Sequence, residues 1–206
     1  ALSGNKPVVA IYSTFMQRAY DQLIHDIAIQ NIPMLFAIDR AGLVGADGAT
    51  HSGNFDISFM RCIPNLILMA PSNESECFHM LSFGYKYNGV CAVRYPRGNS
   101  PGSSIELLND PIRIGCANKV RTGKKVAILA FGPIIEVCRE VAEEINASLI
   151  DMRFIKPIDK KMIRQVCKDH ELIVSVEENA ITGGAGSSVL EVISESNLLT
   201  KTLVLG

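Results

Sequence analysis

The stretch "PMLFAIDRAGLVGADGATHSG" (residues 33–53) joins a short apolar run to a long glycine-rich loop. The run "PMLFAID" is typical of a parallel strand that is covered on both faces. The loop at 39–53 holds four glycines, two aspartates, an arginine and a histidine, and it has the period of neither a helix nor a strand. We therefore predict a buried strand whose carboxyl end carries a polar loop, the position at which open α/β sheets form ligand sites.

Strand and helix signals alternate on both sides of this stretch. In the first half we predict further strands at 7–13, 66–71 and 91–96, and helices at 15–30, 56–62 and 73–86. In the second half we predict strands at 125–132, 148–152, 172–178 and 202–206, and helices at 134–145, 159–166 and 187–195. This alternation predicts an α/β fold with two doubly wound domains, each built on a mostly parallel sheet.

Polar residues that suit helix starts set several of these bounds. Thr14 and Asp56 are expected to cap the first two helices, Asn73 forms a capping box with Glu76, and Asp159 caps the helix at 159–166. Apolar residues at helical spacing predict the buried faces of two helices. These faces are Phe15, Ala19, Leu23 and Ile27 in one helix, and Ile134, Val137, Val141 and Ile145 in the other.

A segment rich in Gly, Ser, Asn and Pro divides the two halves. We predict one domain at 1–99, a linker at 100–115 and a second domain at 116–206. The chain lacks an initiating Met, and strand-like runs lie close to both of its ends. We therefore expect a fragment of a longer protein, and we predict that the final run at 202–206 is a core strand.

Composition excludes several classes of protein. The chain is 48% hydrophobic and 20% charged, which is ample for a buried core and argues against disorder. A formal net charge of -1 and the absence of a long apolar run predict no nucleic-acid partner and no membrane span. The six dispersed cysteines, with no Cys-x-x-Cys pair, are interpreted as reduced thiols of a cytoplasmic protein, and we predict no metal site here.

Three polar clusters follow predicted strands of the first half: "YSTFMQR" (12–18), the loop at 39–53 and "RYPRGN" (94–99). Because the carboxyl ends of parallel strands share one edge of a sheet, we expect the clusters to converge. Forked guanidinium groups favour a phosphate or carboxylate ligand, and an imidazole exchanges protons near neutral pH. The residues expected at this edge are Tyr12, Phe15, Arg18, Arg40, Asp47, His51 and Arg97.

Each of these residues also has a structural explanation when it is taken alone. Phe15 fits a core position by its spacing, Arg18 fits a solvated helix face, and the pair Asp47-Gly48 is a common turn. The loop lacks the Lys-Ser/Thr of a P-loop, the dinucleotide fingerprint and the spacing of a calcium loop. The prediction of a site therefore depends on the convergence of three strand ends.

A second glycine-rich turn, "NAITGGAGSS" (179–188), lies before the last predicted helix. It resembles a phosphate-binding turn, but close packing of a strand against a helix also requires small residues. Glu177 and Glu178, at the preceding strand end, are interpreted as a capping or interface pair in preference to an acid–base dyad.

Several long motifs are similar to those of one family. The stretches "IYSTFMQRAYDQ" (11–22), "AVRYPRGN" (92–99), "DMRFIKPID" (151–159) and "VEENAITGGAGSSV" (176–189) resemble the transketolase-like, thiamine-diphosphate-dependent enzymes. The resemblance covers essentially all 206 residues. It points to the branch that condenses pyruvate with glyceraldehyde 3-phosphate, and it implies a pyrimidine-binding-type domain followed by a C-terminal-type domain.

The resemblance implies that the intact enzyme releases CO2 from pyruvate and forms 1-deoxy-D-xylulose 5-phosphate, a precursor of isoprenoids and thiamine. It implies thiamine diphosphate and Mg2+ as cofactors, and a homodimer. The family's metal and diphosphate ligands, and a glutamate that activates the cofactor, are expected in a part preceding residue 1. We therefore expect the fragment alone to be inactive.

Site roles follow from the same resemblance. Phe15 is expected to stack on the aminopyrimidine, with Tyr12 and Arg18 on the same side. His51 and Asp47 are expected to form the catalytic proton-transfer and hydrogen-bonding pair that faces the substrate, with Tyr12 beside them. The anchors of the acceptor phosphate are expected to be Arg40 and Arg97.

Two alternatives stay open at this point. One is a transketolase or a dehydrogenase E1 β-type chain, which would act on other substrates. The other is a non-catalytic oligomerisation module with the same fold.

Overall fold

A computed structural model of the chain describes residues 1–98, 105 and 111–206. The predicted linker at 100–115 lies outside these residues, except for 105 and 111–115.

The described residues contain strands and helices in alternation, as the sequence predicts. The strands are β1 (Val8–Tyr12), β2 (Met34–Asp39), β3 (Leu66–Met69), β4 (Val90–Arg94), β5 (Asn118–Arg121), β6 (Val126–Phe131), β7 (Ser148–Asp151), β8 (Phe154–Lys156), β9 (Leu172–Glu177) and β10 (Lys201–Leu205). The α-helices are α1 (Ser13–Met16), α2 (Tyr20–Gln22), α3 (Asp56–Met60), α4 (Glu74–Lys86), α5 (Ile135–Glu144), α6 (Lys160–Asp169) and α7 (Ala185–Glu195).

Two five-stranded sheets confirm the predicted α/β class. The first has the order β1-β2-β4-β3-β8, and its first four strands are parallel. The second has the order β10-β9-β6-β7-β5, and β5 is its antiparallel strand. Apolar strands such as β4, which is buried throughout, form the centre of each sheet because helices cover both faces.

The two halves of the chain pack into each other. Strand β8, from the second half, pairs antiparallel with β3 and so completes the first sheet. One hydrophobic cluster contains Met60 and Ile63 of the first half together with Ile163 and Val189 of the second. An ion pair between Glu76 and Arg153, at 2.8 Å, also joins the halves. No sequence pattern predicted β8, because three residues are too short for a periodic signal.

The first helical segment differs from the regular helix predicted at 15–30. It starts at Ser13, passes through a 3-10 turn at Gln17–Ala19 and ends as a π-helix at Leu23–Ala28. Thr14 does not cap it, because Tyr12 holds the N-cap position and Thr14 is the second residue of the helix; the Thr14 hydroxyl donates to the Thr50 carbonyl at 3.1 Å. A change in the number of residues per turn displaces side chains from a spacing of four residues. Phe15, which that spacing placed on the buried face, is 45% exposed.

The buried face predicted for α5 is wrong at three of its four residues, whereas Ile134, which precedes the helix, is partly buried against the core. Val137, Val141 and Ile145 are exposed, whereas the same helix buries Ile135, Cys138 and Ala142. The helix carries apolar residues on two sides, and the side with the smaller residues packs against the sheet. Amphipathic spacing alone could not distinguish the two sides.

The caps predicted at Asn73 and Asp159 are confirmed. The Asn73 side chain accepts from the Glu76 N–H at 2.9 Å, and the Asp159 side chain accepts from the Met162 N–H at 2.8 Å. Asp56 does not cap a helix from outside: it is the first residue of α3 and is fully buried.

Strand β10 lies at the edge of its sheet with every second residue exposed, so the prediction of a core strand at 202–206 is wrong for the described sheet. Among the described residues, no helix combines the length and the apolar character required to cross a bilayer.

Candidate active site at the strand ends

The carboxyl ends of β1, β2 and β4 lie side by side. These three strands are neighbours and parallel, with Tyr12 beside Asp39 and Ile38 beside Arg94 in the register. Tyr12 ends β1, and Arg40 directly follows β2. The geometry brings the three polar clusters predicted from the sequence to one edge of the first sheet.

Aromatic rings form one side of this edge. The rings of Tyr12 and Phe15 are stacked with centroids 5.2 Å apart and planes inclined by 13°. His51 meets Phe15 edge-on at 5.7 Å between centroids. Because Phe15 remains nearly half exposed, a planar ligand can reach its ring.

A charged cluster of arginine and aspartate lies next to these rings. The Arg40 guanidinium carbon lies 3.8 Å from the centroid of the Tyr12 ring. Arg40 Nε donates to Asp47 Oδ2 at 2.8 Å, and its Nη1 donates to Asp39 Oδ2 at 2.6 Å. Arg97 Nε lies 3.2 Å from the same Asp47 oxygen. One carboxylate therefore holds two guanidinium groups near each other.

The same contacts set the ionisation of this cluster. The hydrogen bond from Arg40 lowers the pKa of Asp47, and the charge of Arg97 acts in the same direction. The hydrogen bond to Asp47 raises the pKa of Arg40. Arg40 and Arg97 therefore lie against the two carboxylates of Asp39 and Asp47, and the formal charges of these four side chains balance. A guanidinium has five N–H donors, so each arginine has donors beyond those that the carboxylates use for an anionic ligand.

Asp47 and His51 have different partners from those expected of a catalytic pair. Asp47 binds the two arginines, whereas His51 Nδ1 lies 3.1 Å from the Thr50 hydroxyl. An aspartate with a lowered pKa is a weak base. The contacts of Asp47 therefore suit it better for holding the two arginines than for accepting a proton.

The loop that carries Asp47 and His51 closes at two glycines. Gly42 and Gly53 form an antiparallel bridge, in which their backbone groups exchange hydrogen bonds of 2.9 and 2.8 Å. A Cβ at Gly53 would lie 2.6 Å from Ser13 Cβ and would also meet the Arg40 carbonyl oxygen. Gly42 has a φ of +76°, a conformation that other residues rarely adopt. Both positions therefore require glycine.

A buried ion pair lies behind the cluster, and sequence reasoning missed it. Arg94 Nε donates to Asp56 Oδ2 at 2.8 Å, with 2% and 0% of their side chains exposed. A nitrogen of the same guanidinium donates to the Glu178 carbonyl of the second half at 3.1 Å. The available signal was an arginine at the end of an apolar strand, since a buried arginine needs a partner.

The second glycine-rich turn forms no phosphate site in this structure. The Glu177 carboxylate accepts from the N–H groups of Ala185 and Gly186 at 2.7 and 2.8 Å, so it occupies the start of α7. Burial raises the pKa of Glu177, and these two hydrogen bonds oppose that rise. Glu177 thus caps α7 and Glu178 lies at the junction of the halves, in agreement with their interpretation as a capping or interface pair.

Six of the seven expected residues are linked by direct contacts. Tyr12, Phe15, Arg40, Asp47, His51 and Arg97 form one continuous cluster. Arg18 lies on the exposed 3-10 turn, and no contact described in this part of the chain joins it to the cluster. The catalytic and binding roles of all seven residues stay predictions. Within the described ranges, no group of three or more His, Cys, Asp or Glu side chains could hold a metal ion.

Comparisons with known proteins agree with this architecture. The family model described as "Transketolase, pyrimidine binding domain" matches residues 1–103, and "Transketolase, C-terminal domain" matches 115–205. Over 206 residues the chain is 59% identical to 1-deoxy-D-xylulose-5-phosphate synthase of Pasteurella multocida and 54% identical to that of Vibrio vulnificus. The whole chain is covered, but it spans only 33% of the length of each relative.

Solved structures show the same fold. A chain titled "Split gene transketolase, inactive beta4 tetramer" superimposes with a TM-score of 0.87 at 25% identity, covering 98% of this chain and 67% of the other. Transketolase from Campylobacter jejuni superimposes with a TM-score of 0.68 at 15% identity, covering 97% of this chain and 31% of the other. Family models thus account for both halves, and the chain belongs to the transketolase family, whose pyrimidine-binding and C-terminal domains it carries.

Proposed function

We propose that this chain supplies the pyrimidine-binding and C-terminal domains of an enzyme that condenses pyruvate with glyceraldehyde 3-phosphate to 1-deoxy-D-xylulose 5-phosphate and CO2. The observation that carries the proposal is the arginine–aspartate–aromatic cluster at the strand ends. The identity of 54–59% to synthases of that name, over the whole chain, supports the choice of reaction.

The exposed ring of Phe15 fits a planar cofactor ring. Tyr12 stacks on Phe15 and fixes its orientation, so a pyrimidine can stack there at low entropic cost. Thiamine diphosphate, when bound, supplies the electron sink for decarboxylation of a 2-oxo acid. In this proposal Phe15 and Tyr12 orient the pyrimidine, and Arg18 contributes on the same side.

Arg40 and Arg97 fit the phosphate group of the acceptor. Asp47 holds both guanidinium groups, and 44% of the Arg97 side chain is exposed to an incoming ligand. A phosphate accepts parallel hydrogen bonds from a guanidinium, and two arginines fix its position more tightly than one. The acceptor aldehyde would then lie towards His51 and Tyr12.

His51 is the proton-transfer group in this proposal. Its Nδ1 faces the Thr50 hydroxyl, so Nε2 is the nitrogen assigned to the substrate. An imidazole can donate a proton to an oxygen that becomes negative and accept it back near neutral pH. Asp47 contributes through the arginines that it holds.

The remaining parts of the active enzyme are also proposals. Mg2+, the diphosphate site and the glutamate that activates the cofactor would come from residues beyond this segment, since the relatives are about three times longer. We assign the enzyme to the cytoplasm, as a homodimer, with its cysteines as free thiols.

A transketolase-type subunit is the second candidate. It is favoured by the likeness to one chain of a split-gene transketolase, which matches nearly the whole of this chain. Such a subunit would act with a separate chain and would transfer ketol groups between sugar phosphates.

An assay of the complete polypeptide that contains this segment distinguishes these functions. With thiamine diphosphate and Mg2+, we expect pyruvate and glyceraldehyde 3-phosphate to yield CO2 and 1-deoxy-D-xylulose 5-phosphate, identified by mass spectrometry. Ketol transfer from xylulose 5-phosphate without this product would favour the transketolase-type subunit. Failure to bind the cofactor and to turn over either substrate pair would favour a non-catalytic module. The isolated 206-residue chain is the negative control, and turnover by it would contradict the assignment of missing parts.

A further inference from the structure

A short segment of the second half contacts the first half directly beside the site. We call residues 178–183 the bridging segment. Its Ala180 N–H donates to the Asn54 carbonyl at 2.8 Å, and the Asn179 side-chain oxygen accepts from the Ile57 N–H at 3.2 Å. The Ser58 hydroxyl donates to the Thr182 carbonyl at 2.8 Å. The segment therefore contacts both the end of the loop at 39–53, which we call the site loop, and the start of α3.

Glu178, the first residue of this segment, contacts the base of the site loop at Gly42. A Cβ placed on Gly42 would lie 3.0 Å from Glu178 Cβ and 3.3 Å from its Oε1, so the two residues are in contact. Burial raises the pKa of Glu178, and the neighbouring Leu43 N–H opposes that rise. Below it, the Glu178 carbonyl accepts from Arg94, whose charge is balanced by Asp56. Glu178 is thus fixed on one side and contacts the loop on the other.

Few backbone hydrogen bonds within the loop hold it in place. Between Gly42 and Gly53 it contains two short 3-10 turns at Gly45–Asp47 and Ala49–His51, and one backbone bridge closes it. Short 3-10 turns and a single bridge add little rigidity. Arg40 and Asp47 lie in this loop on opposite sides of Gly42, so a shift of the loop's base would move Asp47 away from the two guanidinium groups that it holds.

We propose that Glu178 of the second half is a positioning residue for the arginine–aspartate anion site, acting through its contacts with Gly42 and Leu43. The choice of ligand rests on the proposed function, but the effect on the loop does not. The C-terminal domain thereby contributes to recognition of the phosphorylated acceptor without touching it.

The test compares three variants of the complete polypeptide. Glu178→Ala keeps Cβ and removes the carboxylate that lies beside Gly42, Glu178→Gln keeps the size and an acceptor oxygen, and Glu191→Ala is the matched control. Glu191 pairs with Arg61 across the same junction, and its hydrogen bonds in the described residues go to Arg61. Two readouts are measured: hydrogen exchange of the peptide at 40–53, and KM for glyceraldehyde 3-phosphate and for pyruvate separately.

We expect Glu178→Ala to speed exchange of the loop amides and to raise KM for glyceraldehyde 3-phosphate, each about 10-fold, the effect of losing one polar contact. KM for pyruvate should change by less than about 2-fold, and Glu178→Gln and Glu191→Ala should resemble the wild type. Equal effects of Glu178→Ala and Glu191→Ala, or faster exchange without a rise in KM, would overturn the proposal. Unchanged exchange would also overturn it, whether or not the wild type is active. If the wild type makes no product, the proposed function fails, and the exchange data alone decide whether Glu178 positions the loop.

Discussion

Replacement of Gly53 by alanine tests how tightly the base of the site loop is closed. The new Cβ would lie 2.6 Å from Ser13 Cβ and 2.5 Å from its Oγ, whereas ordinary contact begins at 3.4 Å, and it would also meet the backbone oxygen of Arg40. Because backbone and a buried serine must move, we expect a loss of about 2–4 kcal/mol in the free energy of unfolding. This figure combines about 1–3 kcal/mol of overpacking with about 1 kcal/mol for a weakened bridge to Gly42.

The same displacement should affect catalysis. A shift of about 1 Å in the loop that carries the phosphate-binding cluster should lower kcat/KM for glyceraldehyde 3-phosphate about 100-fold. Gly98→Ala is the matched control for stability, because a Cβ there meets nothing within 4 Å and the backbone has no positive φ. We expect it to change stability by less than about 0.5 kcal/mol. Denaturant unfolding and steady-state kinetics measure the two effects. Identical values for Gly53→Ala and Gly98→Ala would refute the reasoning that the loop closes at contact distance.

Two further substitutions test the buried charges. Asp56→Ala should lower the free energy of unfolding by about 3–5 kcal/mol, because it leaves the buried charge of Arg94 without its carboxylate. Adding Arg94→Met should recover much of that loss. No recovery in the double variant would contradict this explanation. Burial raises the pKa of Asp151 to about 6. The folded protein therefore keeps this proton up to about pH 6, whereas the unfolded chain releases it near pH 4, so this group lowers the free energy of unfolding by about 2 kcal/mol as the pH rises from 4 to 7. Asp151→Asn should lack that decrease in denaturant titrations, and equal pH dependence in the two proteins would show that Asp151 ionises normally.

Local patterns predicted much of the fold. The apolar runs of β2 and β4, and the polar residues that follow them, indicated parallel strands with a site at their ends. Asn73 and Asp159 were predictable as caps because a cap depends on residues within one helical turn. The same locality explains why the aromatic and arginine cluster could be expected from strand ends alone.

Contacts between distant parts of the chain were not predictable. Strand β8 joins the first sheet only because the second half packs against β3, and nothing in three residues signals that partner. The contact of Glu178 with Gly42, and the partner of Arg94, likewise depend on tertiary packing. The buried side of α5 was likewise not predictable from helical spacing. Val137 is exposed, because the side with the smaller Cys138 and Ala142 packs against the sheet.

The central claim is that Arg97, held by Asp47 next to Arg40, recognises the phosphate of the acceptor. The most direct measurement is the ratio of kcat/KM for glyceraldehyde 3-phosphate to that for unphosphorylated glyceraldehyde, in the complete polypeptide and in its Arg97→Ala variant. We predict that the ratio falls about 10–100-fold, as expected for the loss of a charged hydrogen bond. Arg139→Ala, which alters an exposed ion pair on α5, should leave the ratio unchanged. An unchanged ratio in Arg97→Ala would contradict the account.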